Sequence, residues 1–159
     1  MPPQPIFDVS QIDQNTILVT REQIQQVNPH RHEFQQLDGV FFIDEPNQIM
    51  AGFRDLRADE FWVRGHIPGR PVFPGVLIIE TAAQMVSYYV MTCHGGNGKF
   101  LGFGGVDQVK FRGQVVPGDR LIMVGQMIGN HRGRKYIGHT QGFVDGRMVY
   151  EGTITGMFI

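Results

Sequence analysis

The sequence predicts an α+β protein in which an antiparallel β-sheet of about six strands wraps round one long central hydrophobic helix. The segment from about Gly75 to Cys93 is apolar on every face, and a helix of that kind must be covered on most sides. The chain that follows it is rich in β-forming residues and is divided by turn signals. Such a pattern favours consecutive strands of one antiparallel sheet.

Four runs after the helix predict strands, and Asp145-Gly146 between the last two is the strongest hairpin signal in the chain. Two earlier runs, residues 38–44 and 48–57, are separated by a turn signal and predict a hairpin before the helix. Together they give the predicted sheet. The four later runs are residues 99–111, 120–130, 134–144 and 147–158.

The chain before the first strand predicts an arm and a short helix. Prolines crowd the first five residues and disfavour helix, so we expect an N-terminal arm over residues 1–19. Thr20 with Gln23 three positions later has the spacing of a capping box and predicts a helix that stops before Pro29. Residues 20–159 are expected to form a single domain, since this length supports one core and requires no second.

Composition argues against several functions. The 14 basic and 15 acidic residues give a net charge of −1, which disfavours a nucleic-acid surface. A single cysteine and a start without a charged, apolar leader predict a cytoplasmic protein without disulfides. Polar residues interrupt the apolar helix, and it is shorter than the ~20 residues that a bilayer requires, so we expect a core helix and no membrane span.

The loop before the helix holds a candidate base, His66. Three prolines, Pro68, Pro71 and Pro74, fix φ along this loop and hold the imidazole in place. Histidine titrates near neutral pH and can accept a proton. A loop histidine bonded only to backbone is the alternative interpretation.

Glu80 is a candidate acid, because an unpaired charge inside an apolar helix costs several kcal/mol. Burial favours the neutral carboxyl group, which can then donate a proton. Gln84, one turn further along the same face, is placed to orient the carboxyl group by a hydrogen bond. The alternatives are a Glu80 that faces water or an arginine, and a Gln84 that is buried at a dimer contact.

Gly75 stands at the start of the helix. Unpaired N–H groups and the positive end of the helix dipole favour a carbonyl oxygen that gains negative charge there. Glycine would let a substrate carbonyl approach the amide closely. Plain helix entry after Pro74 is the alternative.

These residues carry a family resemblance. The run over residues 66–84 closely resembles the active-site signature of the (3R)-hydroxyacyl-acyl carrier protein dehydratases of fatty acid synthesis, which have the hot-dog fold. The resemblance extends to Pro-His-Arg at residues 29–31 and to Val-Val-Pro-Gly-Asp at residues 115–119, and it covers roughly residues 20–157. Glu80 resembles the plain dehydratases, whereas the related dehydratase-isomerases carry aspartate at this position.

The resemblance implies a role for each matching residue. His66 would remove the α-proton of a 3-hydroxyacyl thioester, Glu80 would help to expel the β-hydroxyl as water, and the Gly75 amide would hold the thioester carbonyl. The resemblance also implies a homodimer with shared active sites, often extended to a trimer of dimers, and an acyl carrier protein that brings the substrate. It implies no metal and no organic cofactor. Further substrate-contacting positions are Phe73, Pro74, Val76 and Gln84.

The sequence departs from the family pattern at residues 32–36, where a polar His-Glu-Phe-Gln-Gln replaces the usual Tyr-Pro-Phe and apolar run. Because this segment is expected near the substrate, acyl length and carrier stay open. Candidate carrier-docking residues are Lys110 and Arg112 in a strand, and Arg132 and Arg134 beside Lys135 in a hairpin; solvated surface charge is the alternative. The pairs His30/His32 and Cys93/His94 match no common metal site.

Two other functions are compatible with the same fold. A hot-dog acyl thioesterase would activate water against the thioester. A non-catalytic acyl-binding hot-dog subunit would partner an active relative, although intact His66 and Glu80 argue against it.

Overall fold

The computed structural model describes residues 3–159 and contains one antiparallel sheet and one long helix. The sheet has six strands in the order β1-β2-β4-β5-β6-β3. The strands are β1 (Gly39–Asp44), β2 (Ile49–Asp55), β3 (Leu101–Phe111), β4 (Arg120–His131), β5 (Lys135–Val144) and β6 (Arg147–Phe158). The helices are α1 (Arg21–Ile24), α2 (Phe61–Gly65) and α3 (Gly75–Cys93), with short 3₁₀ turns at Val9–Gln11 and His32–Phe34.

The predicted fold is confirmed, including the bounds of the long helix and both flanking hairpin patterns. The capping box is present, because Thr20 accepts from the Gln23 amide and the Gln23 side chain accepts from the Thr20 amide. Sequence reasoning missed α2. This five-residue helix has no side-chain cap that could signal it in the sequence. The burial of Trp62 in the core holds it in place.

Helix α3 lies against the inner face of the sheet and forms the main hydrophobic core. Two glycines allow the helix to approach this closely. A Cβ at Gly125 would lie 2.8 Å from Met85, and one at Gly138 would lie 2.9 Å from Val86. Any larger residue would push the helix side chains away from the sheet.

The sheet covers only part of the helix, so the expectation of cover on most sides is only partly met within one chain. Val76, in the first turn, is 72% exposed. The neighbouring edge strand β3 presents Phe103, Val106 and Phe111 to solvent as well. By length and composition α3 would also qualify as a membrane span, but 56% of that window is buried inside the domain. Helix α3 is therefore better described as a core helix with one uncovered stripe than as a membrane span.

The N-terminal segment packs on the outer face of its own sheet. The amide of Ile6 donates to the side chain of Gln141 over 2.7 Å, and the Gln141 side chain donates to the Gln4 carbonyl over 3.0 Å. The ring of Phe7 lies 4.9 Å from that of Phe42, measured between ring centres. The segment thereby covers a second apolar cluster formed by Phe41, Ala51, Phe53, Ile122, Val124 and Phe143.

Replacing Phe7 by alanine tests this cover. We expect Phe7→Ala to lower the free energy of unfolding by about 1–2 kcal/mol, since the ring is half-buried and loses its aromatic partner. Urea unfolding followed by circular dichroism measures the change. Phe100→Ala, at a half-exposed ring, is the control and should change stability by less than about 0.5 kcal/mol. Equal effects of the two substitutions would contradict a stabilising role of Phe7 on the outer face of the sheet.

Candidate active site

His66 follows helix α2 and is fixed by two hydrogen bonds. Its backbone amide donates to the Trp62 carbonyl over 2.8 Å, and its Nδ1 lies 2.6 Å from the Val72 carbonyl oxygen. A carbonyl oxygen can only accept, so Nδ1 carries the proton and Nε2 keeps its lone pair. The backbone contact is therefore present, and it leaves His66 with one free basic nitrogen.

A buried ion network anchors α2 and thereby the His66 loop. Arg54, buried in β2, pairs with Glu60 immediately before α2. Glu60 also accepts a hydrogen bond from the Trp62 indole over 3.1 Å. The Phe73 ring packs on Trp62 at 5.2 Å between ring centres, and the Arg54 guanidinium lies over its face. Phe73, which the resemblance predicts to contact substrate, has its side chain in the core of this chain, where it supports the loop.

Helix α3 begins with free backbone donors. The amides of Leu77 and Ile78 donate to the carbonyl of the buried Pro74. Over the described part of the chain, the amides of Gly75 and Val76 donate to no backbone carbonyl. Free N–H groups at the positive end of a helix suit an oxygen that gains negative charge.

Gly75 is a position where a side chain would meet a neighbouring ring. A Cβ there would lie 2.7 Å from the Phe111 ring, which is closer than side chains approach one another. Phe111, the last residue of β3, therefore lies directly over the start of α3. The absence of a side chain keeps the amide accessible beside this ring.

Glu80 lines a small cavity together with Gln84 and His30. Its side chain is 21% exposed, Oε1 accepts a hydrogen bond from Gln84 Nε2 over 2.8 Å, and His30 Nε2 lies 3.6 Å from the same oxygen. The predicted contact between Gln84 and Glu80 is thus present. The cavity has a volume of about 70 Å³, and its lining also includes Ala83, Ser87, Leu101, Phe103, Ile154 and Thr155.

Within one chain, His66 and Glu80 belong to different places. His66 does not line the Glu80 cavity; it lies on the exposed loop before the start of α3. Glu80 lies in the second turn of the helix and faces His30 and the first residues of β3. One chain therefore presents a base on the loop before α3, two free amides at the first turn of α3, and a carboxyl group in a separate cavity. Sequence reasoning did not identify His30 as a neighbour of Glu80, although it lies within the Pro-His-Arg motif that carried part of the resemblance.

Comparison with known proteins identifies the family to which the chain belongs. A family profile described as a FabA-like domain matches residues 28–153. The 3-hydroxyacyl-[acyl-carrier-protein] dehydratase FabZ of Pelotomaculum thermopropionicum is 37% identical over 122 residues, which cover 73% of this chain and 86% of the relative. FabZ of Streptococcus equi subsp. zooepidemicus is 34% identical over 137 residues, which cover 86% and 96%. The chain belongs to the FabA-like family.

Solved structures with the fold of this FabA-like protein include enzymes of two kinds. The dehydratase heterocomplex ApeI:P of Xenorhabdus doucetiae aligns with a TM-score of 0.68 at 12% identity, covering 86% of this chain and 90% of that chain. A thioesterase from Pseudomonas aeruginosa gives the same TM-score and identity, covering 89% and 95%. At such low identities the likeness shows the fold alone, and that fold is the predicted hot-dog arrangement.

Gln84 connects helix α3 to residues 32–36, the segment that departs from the family pattern. The side chain is 1% exposed; Nε2 donates to the Phe34 carbonyl over 2.8 Å, and Oε1 accepts from the Gln36 amide over 2.8 Å. Its backbone carbonyl accepts from Asn28 Nδ2 over 2.9 Å. The polar residues 32–36 are therefore held against α3, one turn from Glu80. No dimer contact is needed to explain the burial of Gln84.

The basic residues predicted to receive a carrier lie in two places on this chain. Lys110 and Arg112 both lie beside Glu151 of β6, and Arg112 donates to it over 2.6 Å. Arg132 and Arg134 lie in the β4–β5 hairpin, next to the last residues of β6. These two positions are six residues apart along β6, which corresponds to about 20 Å. The four residues do not form one patch within a single chain.

The remaining histidine and cysteine side chains show no metal-like arrangement. Within residues 3–159, no three His, Cys, Asp or Glu side chains are grouped so that they could hold a metal ion. The ring of His94, next to Cys93, packs between Tyr89 and Tyr136, at 6.2 and 5.0 Å between ring centres.

Replacing Gln84 by methionine tests its connecting role. We expect Gln84→Met to lower the free energy of unfolding by about 2–4 kcal/mol, because the Gln36 amide and the Phe34 carbonyl lose their buried partner. Chemical denaturation measures the loss. Gln126→Met, at a half-buried glutamine on β4 whose amide makes one long hydrogen bond to Asn47, is the control and should change stability by less than about 1 kcal/mol. An unchanged midpoint in Gln84→Met would show that the segment is held by other contacts.

Proposed function

We propose that this FabA-like protein removes water from (3R)-3-hydroxyacyl thioesters carried by acyl carrier protein, giving trans-2-enoyl thioesters in fatty acid biosynthesis in the cytoplasm. The observation that carries the proposal is the fixed tautomer of His66, whose Nδ1 proton is held by the Val72 carbonyl. A loop that presents a lone pair on Nε2 and leads into a helix with free N-terminal amides has the parts that proton abstraction next to a thioester carbonyl requires.

The proposed reaction uses His66, Glu80 and the free amides at the start of α3. His66 Nε2 takes a proton from the α-carbon, and the amides of Gly75 and Val76 stabilise the negative charge that develops on the carbonyl oxygen. The electron pair of the broken C–H bond forms the double bond as the β-carbon to oxygen bond breaks. Glu80 gives its proton to the departing hydroxyl, which leaves as water. A proton then passes from His66 back to Glu80 through solvent, and both groups are restored.

We further propose that two chains form a homodimer with shared active sites. The separation of His66 from the Glu80 cavity supports this proposal, because a single chain supplies half of each site. Strand β3 is an edge strand with exposed apolar residues, and such an edge is open to pairing with a second copy. Pairing of two β3 strands about a two-fold axis would also cover the stripe around Val76.

Dehydration is favoured over thioester hydrolysis by sequence similarity. The dehydratases are 34–37% identical to this chain over most of its length. The thioesterase with an equally similar fold is 12% identical. A non-catalytic subunit would have no need of a His66 side chain locked into one tautomer.

The function and the shared site can be tested together by mixing inactive variants. The wild-type protein is expected to interconvert 3-hydroxyacyl and trans-2-enoyl thioesters, while His66→Ala and Glu80→Gln each lower kcat by at least about a hundredfold. After subunit exchange between the two variants, activity should return to about a quarter of the wild-type value, because half of the dimers contain one intact site. Absorbance of the enoyl thioester measures the rate.

Two results would contradict these proposals in different ways. A wild-type protein with no turnover on any carrier would refute dehydration. Exchanged variants that stay inactive, although sedimentation shows mixed dimers, would place base and acid in one chain. A mixture of His66→Ala with the double variant His66→Ala, Glu80→Gln is the control and contains no intact site.

Charge reversal can test where the carrier docks. Antiparallel pairing of two β3 strands centred near Val106 would bring Lys110 of one protomer to the end of the partner's sheet that carries the β4–β5 hairpin, so that the two basic positions would lie at the same end of that sheet. We expect Lys110→Glu and Arg134→Glu to raise KM about three- to tenfold for a substrate on acyl carrier protein. KM for the coenzyme A thioester should not change. Arg147→Glu, at the exposed first residue of β6, is the control; equal effects on both carriers would exclude docking at these residues.

A further inference from the structure

His30 is a part-buried ionisable group beside Glu80 to which the proposed reaction assigns no role. Its side chain is 24% exposed and stacks on the Phe34 ring at 6.4 Å between ring centres, with the two rings nearly parallel. Burial lowers the pKa of His30, and the nearby positive charge of Arg31 lowers it further, while Glu80 opposes the shift. The imidazole is therefore neutral near pH 7 and carries a single N–H.

The surroundings of the ring decide which nitrogen carries that proton. Nδ1 is buried, and within residues 3–159 it has no hydrogen-bond partner. Nε2 lies 3.6 Å from Oε1 of Glu80, an oxygen that can accept. A proton on Nδ1 would bury an N–H group without an acceptor, which is unfavourable. A proton on Nε2 points the donor at Glu80, and a modest movement would close the hydrogen bond, as happens when substrate orders an active site.

Two donors then face the same oxygen of Glu80. Gln84 Nε2 donates to Oε1 over 2.8 Å, and the orientation of this amide is fixed because its own oxygen accepts from the Gln36 amide. His30 Nε2 faces the same atom. Within the described chain, Oε2 of Glu80 has no hydrogen-bond partner. An acid whose Oε1 is occupied by two donors must carry its proton on Oε2.

We propose that His30 is a positioning residue for Glu80, whose neutral Nε2–H donates to Oε1 so that the acid holds its transferable proton on Oε2. This inference rests on the proposed dehydration. When Glu80 gives up its proton, the new carboxylate keeps two donors on Oε1, and hydrogen bonds to a charged oxygen are stronger than those to a neutral one. His30 therefore stabilises the transition state more than the ground state, which affects kcat and leaves KM unchanged.

The polar segment that departs from the family pattern supports this arrangement. Phe34 lies against the His30 ring, and its carbonyl is held by the same Gln84 that bonds Glu80. Phe34 and Gln36 thus hold the imidazole and the amide that face the acid.

Substitution of His30 separates positioning from packing. His30→Phe preserves the stacked ring and removes the donor, so kcat should fall about tenfold while KM stays within about twofold. His30→Gln replaces Nε2 by an amide N–H and should restore kcat to within about threefold of the wild-type value. His32→Asn, at an exposed histidine in the next turn, is the matched control and should keep wild-type kcat. Steady-state kinetics at pH 7, with the melting temperature of each variant, provide the readout.

The other possible outcomes either support or overturn the positioning role of His30. Wild-type kcat in His30→Phe, or equal losses in His30→Phe and His30→Gln together with lower melting temperatures, would overturn the positioning role. An inactive wild-type protein would refute the proposed function instead. Nitrogen-15 NMR of the imidazoles tests the tautomer without turnover: a proton on Nε2 of His30 supports the inference. A proton on Nδ1 would overturn it.

Discussion

The packing of one apolar helix on the inner face of a curved sheet is the constraint on which the rest of this protein depends. Glycines at positions 125 and 138 let α3 lie close to the strands, and the strands cover the face that contains Met85 and Val86. A sheet that covers one side of a helix leaves the other side open. Glu80 lies at the boundary between these two sides, part-buried and still reachable from a cavity. A carboxyl group deeper in the core could not meet a substrate, and one further out would be fully hydrated.

Polar contacts around the site fix proton positions more than they add stability. The Val72 carbonyl decides which nitrogen of His66 is free, and the Gln84 amide decides which oxygen of Glu80 is occupied. Each of these partners is in turn held by backbone or core contacts, such as the Phe73 ring under Arg54 and the Phe34 carbonyl on Gln84. Catalytic groups with predetermined proton positions need little rearrangement when substrate arrives. The buried ion network at Arg54 serves the same end by anchoring the helix that His66 follows.

The segment before residue 20 shows how a hot-dog sheet can be covered on its second face. Antiparallel sheets often leave one face to water, but here apolar residues of β1, β2, β4 and β5 form a cluster on the outer face. Ile6 and Phe7 lie on that cluster, and Gln141 holds the backbone of the segment at its margin. The family profile begins at residue 28, so this segment lies outside the matched domain.

The sequence by itself determined the elements and the chemistry-bearing residue types. Periodicity and turn residues predicted α3 and all six strands, because these depend on local patterns of apolar residues, glycine and Asp-Gly pairs. The motif over residues 66–84 was enough to name the family. Tertiary structure alone decided what those side chains touch. Phe73 belongs to the core, Lys110 and Arg134 lie about 20 Å apart, and His30 faces Glu80 across fifty residues of chain. Contacts between residues so distant in sequence follow from how the sheet curls and where the helix docks, and no local pattern records them.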